Sequence, residues 1–150
     1  MPKDAAPPDL FLLLDLEPRA PRAARDRVAR LTPLSADVLD RVTLLTSELV
    51  TRAVQQCRPT SGNGIELRAW MRPHAVRVEL RAPGKLLSLP LTRDWPDYDV
   101  LLLRQVADRW SIDTAHYPAS MWFEIDRRRR RSDPEPTAEA SARKPAPSRS

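Results

Sequence analysis

The sequence predicts a two-layer α+β sandwich, in which a mostly antiparallel mixed sheet is covered on one face by about three helices. Stretches with apolar residues three and four positions apart predict helices, whereas shorter stretches with apolar–polar alternation predict strands. These stretches follow one another as strand, helix, helix, hairpin, loop, helix and two strands. Hydrophobic residues make up 41% of the 150 residues and aromatic residues only 5%, so aliphatic side chains must fill most of the core.

The first half of the chain contains one predicted strand and two predicted helices. The apolar stretch Leu10–Leu16 predicts a strand. Pro21 favours the start of a short amphipathic helix over residues 22–31. Ser35 can cap a second helix that runs to about Cys57. Apolar residues recur along that helix at steps of three and four, namely Val38, Val42, Leu45, Leu49 and Ala53.

The second half contains a hairpin, an irregular connection, a helix and two strands. Alternating apolar and polar residues predict strands over 65–72 and 76–81, joined by a turn at Pro73 and His74. Residues 82–99 contain three prolines and are predicted to form a long irregular connection. The remaining predicted elements are a helix over 100–110 and strands over 111–115 and 120–126.

The net charge of +5 belongs to the C-terminal end of the chain. Residues 127–150 carry eight Lys or Arg against three acidic residues, so residues 1–126 are electrically balanced. A nucleic-acid-binding domain is expected to carry positive charge on a folded face, which argues against that class. We expect disorder over 1–9 and 127–150, and one domain over 10–126. Nucleic-acid or membrane contact through the arginine tail is the less favoured alternative to a solvated tail.

Cysteine usage and hydropathy limit the remaining function classes. A single cysteine, Cys57, excludes an internal disulfide and a multi-cysteine zinc site, and no metal site is predicted. Cys57 is expected to be a small buried hydrophobe. The apolar run Leu10–Leu14 is too short to cross a bilayer and lacks the features of a signal peptide, so a cytoplasmic protein is expected.

Four segments follow one another along the chain: SELVTRAV over 47–54, VELRAPG over 78–84, the helix ending ADRW at 110, and MWFE over 121–124. Together they resemble segments of the anti-sigma-factor serine kinases, which belong to the superfamily of gyrase, chaperone and histidine-kinase ATPases. The resemblance covers about residues 16–126 in the family's order. It implies a Bergerat-type ATPase fold that holds ATP between the helices and a lid loop. It also implies protein serine kinase activity, pairing into homodimers, and a sigma factor or an anti-sigma antagonist as partner.

The resemblance gives roles to two positions on the second helix. Glu48 matches the family's glutamate, which activates the attacking hydroxyl. The family's Mg²⁺-holding asparagine, four residues later, is replaced by Arg52. Magnesium needs oxygen ligands, and a guanidinium offers five donors, no acceptor and a fixed positive charge. An i,i+4 ion pair between Glu48 and Arg52 is predicted instead. Two alternatives stay open: Glu48 acts as a residual base, or Arg52 grips a phosphate without metal.

The other nucleotide-binding positions of the family are mostly replaced as well. A methyl group accepts no hydrogen bond from adenine, and acidic side chains repel a triphosphate. These positions are Ala82 for the adenine-reading aspartate, Gly84 and Leu86 for two glycines, Asp97 and Asp99 for the lid glycines, and Ser120 for a threonine of the last strand. Gly84 is retained and Ser120 is a conservative replacement.

These replacements predict a regulatory protein-interaction module that resembles an anti-sigma factor, no longer binds Mg-ATP and needs no cofactor. The alternative is an active ATP-dependent protein serine kinase, with Glu48 as base and Mg-ATP as cofactor, that phosphorylates an anti-sigma antagonist. Whether the chain is an enzyme therefore stays open. Trp95, in the irregular connection, is predicted either to anchor a partner or to fold over the emptied pocket.

Overall fold

The computed structural model describes residues 6–56, 64–82, 97–113 and 119–128. It confirms the predicted fold class, because five strands form one sheet and three helices pack on one of its faces. Every strand pairing within the described ranges is antiparallel. The elements are β1 (Leu10–Leu14), α1 (Ala20–Val28), α2 (Ala36–Gln56), β2 (Ile65–Met71), β3 (Ala75–Ala82), α3 (Asp97–Val106), β4 (Arg109–Asp113) and β5 (Ala119–Asp126).

The strands are arranged in the order β1-β2-β3-β5-β4, so β1 and β4 form the two edges. The predicted hairpin is β2–β3, in which the Arg72 amide donates to the Ala75 carbonyl at 2.9 Å. β3 lies at the centre and pairs with β5 over its whole length. The central strands are therefore held by ladders on both sides, whereas β1 pairs only with β2 in the described part of the chain.

Strand alternation divides the sheet into a helix face and an open face. On the helix face, side chains that are at most 1% exposed pack beneath the helices. This aliphatic layer matches the predicted composition of the core, with one aromatic side chain at its centre. Its members are Ile65, Leu67, Ala69, Val76, Val78, Leu80, Met121, Phe123 and Ile125.

Both N-terminal helices were predicted, with small differences at their ends. α1 begins two residues before the predicted start, so that Pro21 lies within its first two positions, and it ends at Val28 rather than residue 31. The predicted cap of α2 is confirmed, because the Val38 amide donates to Ser35 Oγ at 3.4 Å. The predicted end of α2, Cys57, lies outside the described residues.

The predicted end of the third helix at Trp110 is wrong. α3 spans Asp97–Val106, and β4 begins at Arg109, two residues before the predicted strand. Trp110 keeps helical spacing with Val106, but it pairs with Phe123 of β5, and sheet pairing there outweighs the local pattern. The helix also begins three residues before the predicted start at residue 100.

The described parts of the predicted disordered ends make specific contacts. The Ala6 carbonyl accepts a hydrogen bond from Trp70 Nε1 at 2.8 Å, and the Asp9 amide donates to the Ala69 carbonyl at 2.9 Å. At the other end, Arg127 Nη2 donates to the Pro33 carbonyl at 2.9 Å. Residues 1–5 and 129–150 lie outside the described residues. None of the described helices is both long and apolar enough to cross a membrane.

Candidate functional site

The long helix α2 turns one flank towards α3. Arg41 donates from Nε and Nη2 to the Val106 carbonyl at 3.2 and 2.5 Å, at the C-terminal end of α3. Glu48 and Arg52 follow at steps of seven and four residues, which places all three within about 40° around the helix. We call this side, defined by Arg41, Glu48 and Arg52, the α3-facing flank of α2.

Ion pairs and hydrogen bonds fix the N-terminal end of this flank. Arg41 Nη2 also lies 3.4 Å from Asp108 Oδ2, which accepts a hydrogen bond from the Asp126 amide at 2.7 Å. A guanidinium at the end of α3 satisfies a carbonyl that has no partner within the helix and favours the negative end of its dipole. The α3-facing flank is therefore held against both α3 and β5.

Arg52 is a nearly buried cation on this flank. It is 8% exposed, and Glu48, one turn earlier, is half-buried. Burial lowers the pKa of the Arg52 guanidinium, and the negative charge of Glu48 opposes part of that shift. A guanidinium still carries its charge at neutral pH. This coupling acts through space and does not by itself establish a contact, so the Glu48–Arg52 ion pair stays a prediction.

The structure places the other predicted site residues in different parts of the fold. Ala82 ends β3, where its backbone pairs with Ala119. Asp97 and Asp99 lie in the first turn of α3 rather than in an irregular connection. Ser120 pairs in register with Arg81 and alternates with the buried side chains of β5, so it lies on the open face.

Among the predicted site residues whose side chains the structure describes, Glu48 and Arg52 lie one turn apart on α2. Ser120 lies on the side of the sheet opposite to the helices that carry them. The predictions for Cys57, Gly84, Leu86 and Trp95 fall on residues outside the described ranges. Within those ranges, no group of three or more His, Cys, Asp or Glu side chains is arranged to hold a metal ion.

A cavity of about 510 Å³ lies roughly a quarter turn around α2 from the line of Arg41, Glu48 and Arg52, against α1. Its volume lies within the range of small-molecule pockets. The described nucleotide positions of the resembled family do not line it. Sequence reasoning missed this groove, because it depends on how α1 and α2 cross rather than on any motif. Its lining residues are Pro18, Pro21, Arg22, Arg25, Ser47, Thr51, Val54 and Gln55.

The open face of the sheet carries a network of paired charges that the sequence analysis did not single out. The Arg77 guanidinium lies 3.9 Å from the ring centroid of Trp122, and its Nη1 lies 2.9 Å from Glu124 Oε1. Glu124 also pairs with Arg109 at 3.2 Å, and the nearly buried Glu79 pairs with Arg81. Alternating Arg and Glu residues were visible in the sequence, but their partners depend on strand register.

Comparison with known proteins identifies no family. No protein-family model matches the chain. The curated proteins contain no match to it either. The resemblance to anti-sigma-factor kinases therefore stays a prediction that depends on the four segments and on the residues of the α3-facing flank.

Proposed function

We propose that this chain is a regulatory protein-binding module of the anti-sigma type, acts in the cytoplasm and does not bind Mg-ATP. The observation that carries the proposal is the burial of Arg52 beside Glu48 on the α3-facing flank of α2. In the resembled family this flank holds the magnesium ion and the phosphates. In this chain the position of the metal-holding asparagine is occupied by the guanidinium of Arg52, which carries a fixed positive charge.

The chemistry of magnesium supports this proposal. Mg²⁺ is held by oxygen ligands at octahedral positions, and a guanidinium has no lone pair to offer. The carboxylate of Glu48 is coupled to the guanidinium of Arg52, so part of its negative charge is already offset. Loss of one hydrogen-bonded contact costs about 1–3 kcal/mol, whereas micromolar binding amounts to only about 8 kcal/mol in total.

A module without phosphate transfer would regulate by occupancy. It would bind a sigma factor or an anti-sigma antagonist and hold it away from its other partners, with no chemical step. The two-layer frame supports such a role, because α2, α3 and the sheet are connected by Arg41 and Asp108. The partner class comes from the resemblance alone.

Calorimetric titration of the full chain with Mg-ATP tests the proposal. We expect no saturable heat for the native chain, because the buried cation of Arg52 repels the metal. The double variant Arg52→Asn, Ala82→Asp restores the family residues at the metal-holding and adenine-reading positions, and we expect it to gain saturable binding. A single Arg27→Asn variant, at an exposed position of α1 that does not line the cavity, is the matched control and should gain none.

The kinase alternative makes the opposite prediction in the same titration. Glu48 is half-buried on the α3-facing flank of α2, so a general base is available if nucleotide binds on that flank. Saturable micromolar binding by the native chain, abolished by Glu48→Ala, would favour the kinase over the binding module. Affinity capture from a cytoplasmic extract, followed by mass spectrometry, tests the partner class: recovery of a sigma factor or an anti-sigma antagonist supports it.

A further inference from the structure

The outer edge of β1 has no partner strand in the described part of the chain. β1 pairs with β2 on one side, from Leu10 opposite Ala69 to Leu14 opposite Ile65. Alternate residues of an edge strand turn their backbone N–H and C=O groups away from the sheet, where they can pair with another chain. This edge is therefore a ready template for one more strand.

The side chains of β1 are apolar on both faces of the sheet, which is unusual for an edge. Leu10, Leu12 and Leu14 face the core, whereas Phe11 and Leu13 are 51% and 64% exposed on the open face. Natural edge strands usually carry charges or prolines that discourage pairing. β1 carries neither between Leu10 and Leu14, so an incoming strand would cover apolar surface as well as satisfy backbone groups.

Acidic residues stand at both ends of this apolar strand. Asp9 precedes it and Asp15 follows it. Both are exposed, and both are separated from Phe11 and Leu13 by an even number of residues, so strand alternation places them on the same side as Phe11 and Leu13. Asp9 is held in place, because its Oδ2 accepts a hydrogen bond from the Met71 amide at 2.6 Å. An antiparallel strand paired with all of β1 would place its first and last residues opposite these two carboxylates.

The same charges disfavour a second copy of this chain. When β1 pairs antiparallel with its own copy over all five residues, Leu12 meets Leu12 and Asp9 meets Asp15 at both ends. Like charges directly opposite each other destabilise a strand pair, whereas opposite charges stabilise it. Charge complementarity therefore favours a different occupant, with basic residues at those two positions.

We propose that the outer edge of β1 binds an extended segment of a partner protein by strand addition, with apolar residues in its centre and Lys or Arg at both ends. The added strand lies antiparallel to β1. Two of its apolar side chains cover Phe11 and Leu13 on the open face, and its terminal cations face Asp15 and Asp9. This inference deepens the proposed protein-binding role, on which it rests, by naming the surface and the chemistry of the partner segment.

A synthetic heptapeptide tests the inference with the full chain. The probe is fluorescently labelled Lys-Thr-Val-Thr-Val-Thr-Lys, whose valines would meet Leu13 and Phe11, and binding is followed by fluorescence anisotropy. The matched peptide Glu-Thr-Val-Thr-Val-Thr-Glu changes only the end charges. Two further peptides carry backbone N-methyl groups at either the odd or the even positions, which removes one alternate set of donors without altering any side chain.

The expected result is a preference of about tenfold for the Lys-ended over the Glu-ended peptide, since the contacts with Asp9 and Asp15 both change from favourable to unfavourable. One of the two N-methylated peptides should lose binding and the other should keep it. The variant Asp15→Lys should reduce the tenfold preference to near equality. The matched variant Asp40→Lys, an exposed acid on α2, should leave the preference unchanged.

Three outcomes of the peptide experiment would overturn the inference: no binding of the Lys-ended peptide up to about 1 mM, equal binding of the Lys-ended and Glu-ended peptides, or equal binding of both N-methylated peptides. A concentration-dependent dimer in sedimentation velocity that Leu13→Lys abolishes would also overturn it, because a second copy would then occupy the edge. Failure here is distinguishable from failure of the proposed function, since the Mg-ATP titration reads the α3-facing flank and not the β1 edge.

Discussion

The side chains on the two faces of the sheet are buried in different ways. On the helix face, β3 and β5 bury Val78 and Phe123 in an aliphatic core at most 1% exposed. On the open face, no described helix covers the neighbouring side chains, yet Arg77 and Glu124 are only 20% and 12% exposed. The helix face is buried by other elements, whereas the open face is buried by its own long side chains, which cover one another.

This difference indicates which face contributes most of the stability. Apolar burial contributes in proportion to the area removed from water, so the helix face should dominate the free energy of unfolding. Paired charges contribute less, because part of their attraction offsets the cost of removing them from water. The open face can therefore vary with less loss of stability than the helix face, which is compatible with the strand addition proposed at the β1 edge.

The largest expected effect is on the helix face. Phe123 is fully buried and pairs in register with Val78 and Trp110. Phe123→Ala should lower the free energy of unfolding by roughly 3–5 kcal/mol, because it leaves a cavity in a close-packed layer. Urea denaturation followed by circular dichroism measures the loss. Phe123→Leu is the control and should cost much less; equal losses would show that this layer is not tightly packed.

A smaller effect is expected where β1 meets β2. A Cβ atom added at Gly64 would lie 2.8 Å from the Leu14 carbonyl oxygen and 3.1 Å from Leu13 Cδ1. Gly64→Ala should therefore lower the free energy of unfolding by about 1–3 kcal/mol, because the backbone at Leu14 or at residue 64 must move. Combining it with Leu13→Ala separates the two contacts. The carbonyl contact remains in the double variant, so full rescue of stability would contradict this explanation.

On the open face, Arg77→Ala should lower the free energy of unfolding by about 1–2 kcal/mol. The variant loses the contact with the Trp122 ring, and it leaves Glu124 with one cation fewer. Arg77→Lys keeps the charge but loses the planar guanidinium, so it should recover part of the loss. Urea denaturation of Arg77→Ala and Arg77→Lys measures both. A loss as large as that of Phe123→Ala would remove the distinction between the two faces.

The smallest effect is expected from an exposed pair on α1. Arg22 Nε lies 3.9 Å from Asp26, and the side chains are 82% and 57% exposed. Arg22→Ala should change the free energy of unfolding by less than about 0.5 kcal/mol, because solvent screens exposed ion pairs. The same urea assay provides the baseline for the other variants, and a loss above 1 kcal/mol would mean that Arg22 packs against the helices.

Periodicity in the sequence was sufficient to predict the elements and the core. The helical stripe of α2 and the alternation of β2, β3 and β5 each determine which side chains are buried, so the helix face could be predicted residue by residue. The α3–β4 boundary could not, because Val106 and Trp110 keep helical spacing while pairing with β5 decides the strand.

Long-range contacts explain the other differences. The partners of Arg77 and Arg109 depend on strand register, and the contact of Arg41 with Val106 depends on how α2 lies against α3. Residues 6–9 have a disordered composition, but Asp9 bonds to β2. The presence of Arg52 four residues after Glu48 was visible in the sequence, whereas the burial of Arg52 required the structure.

The account depends most on the claim that a buried guanidinium keeps Mg-ATP from the α3-facing flank of α2. Isothermal titration calorimetry of the native chain with Mg-ATP, up to about 1 mM nucleotide, tests this claim most directly. We predict no saturable heat for the native chain and a saturable signal after Arg52→Asn, Ala82→Asp. Saturable micromolar binding by the native chain, lost on Glu48→Ala, would contradict the account.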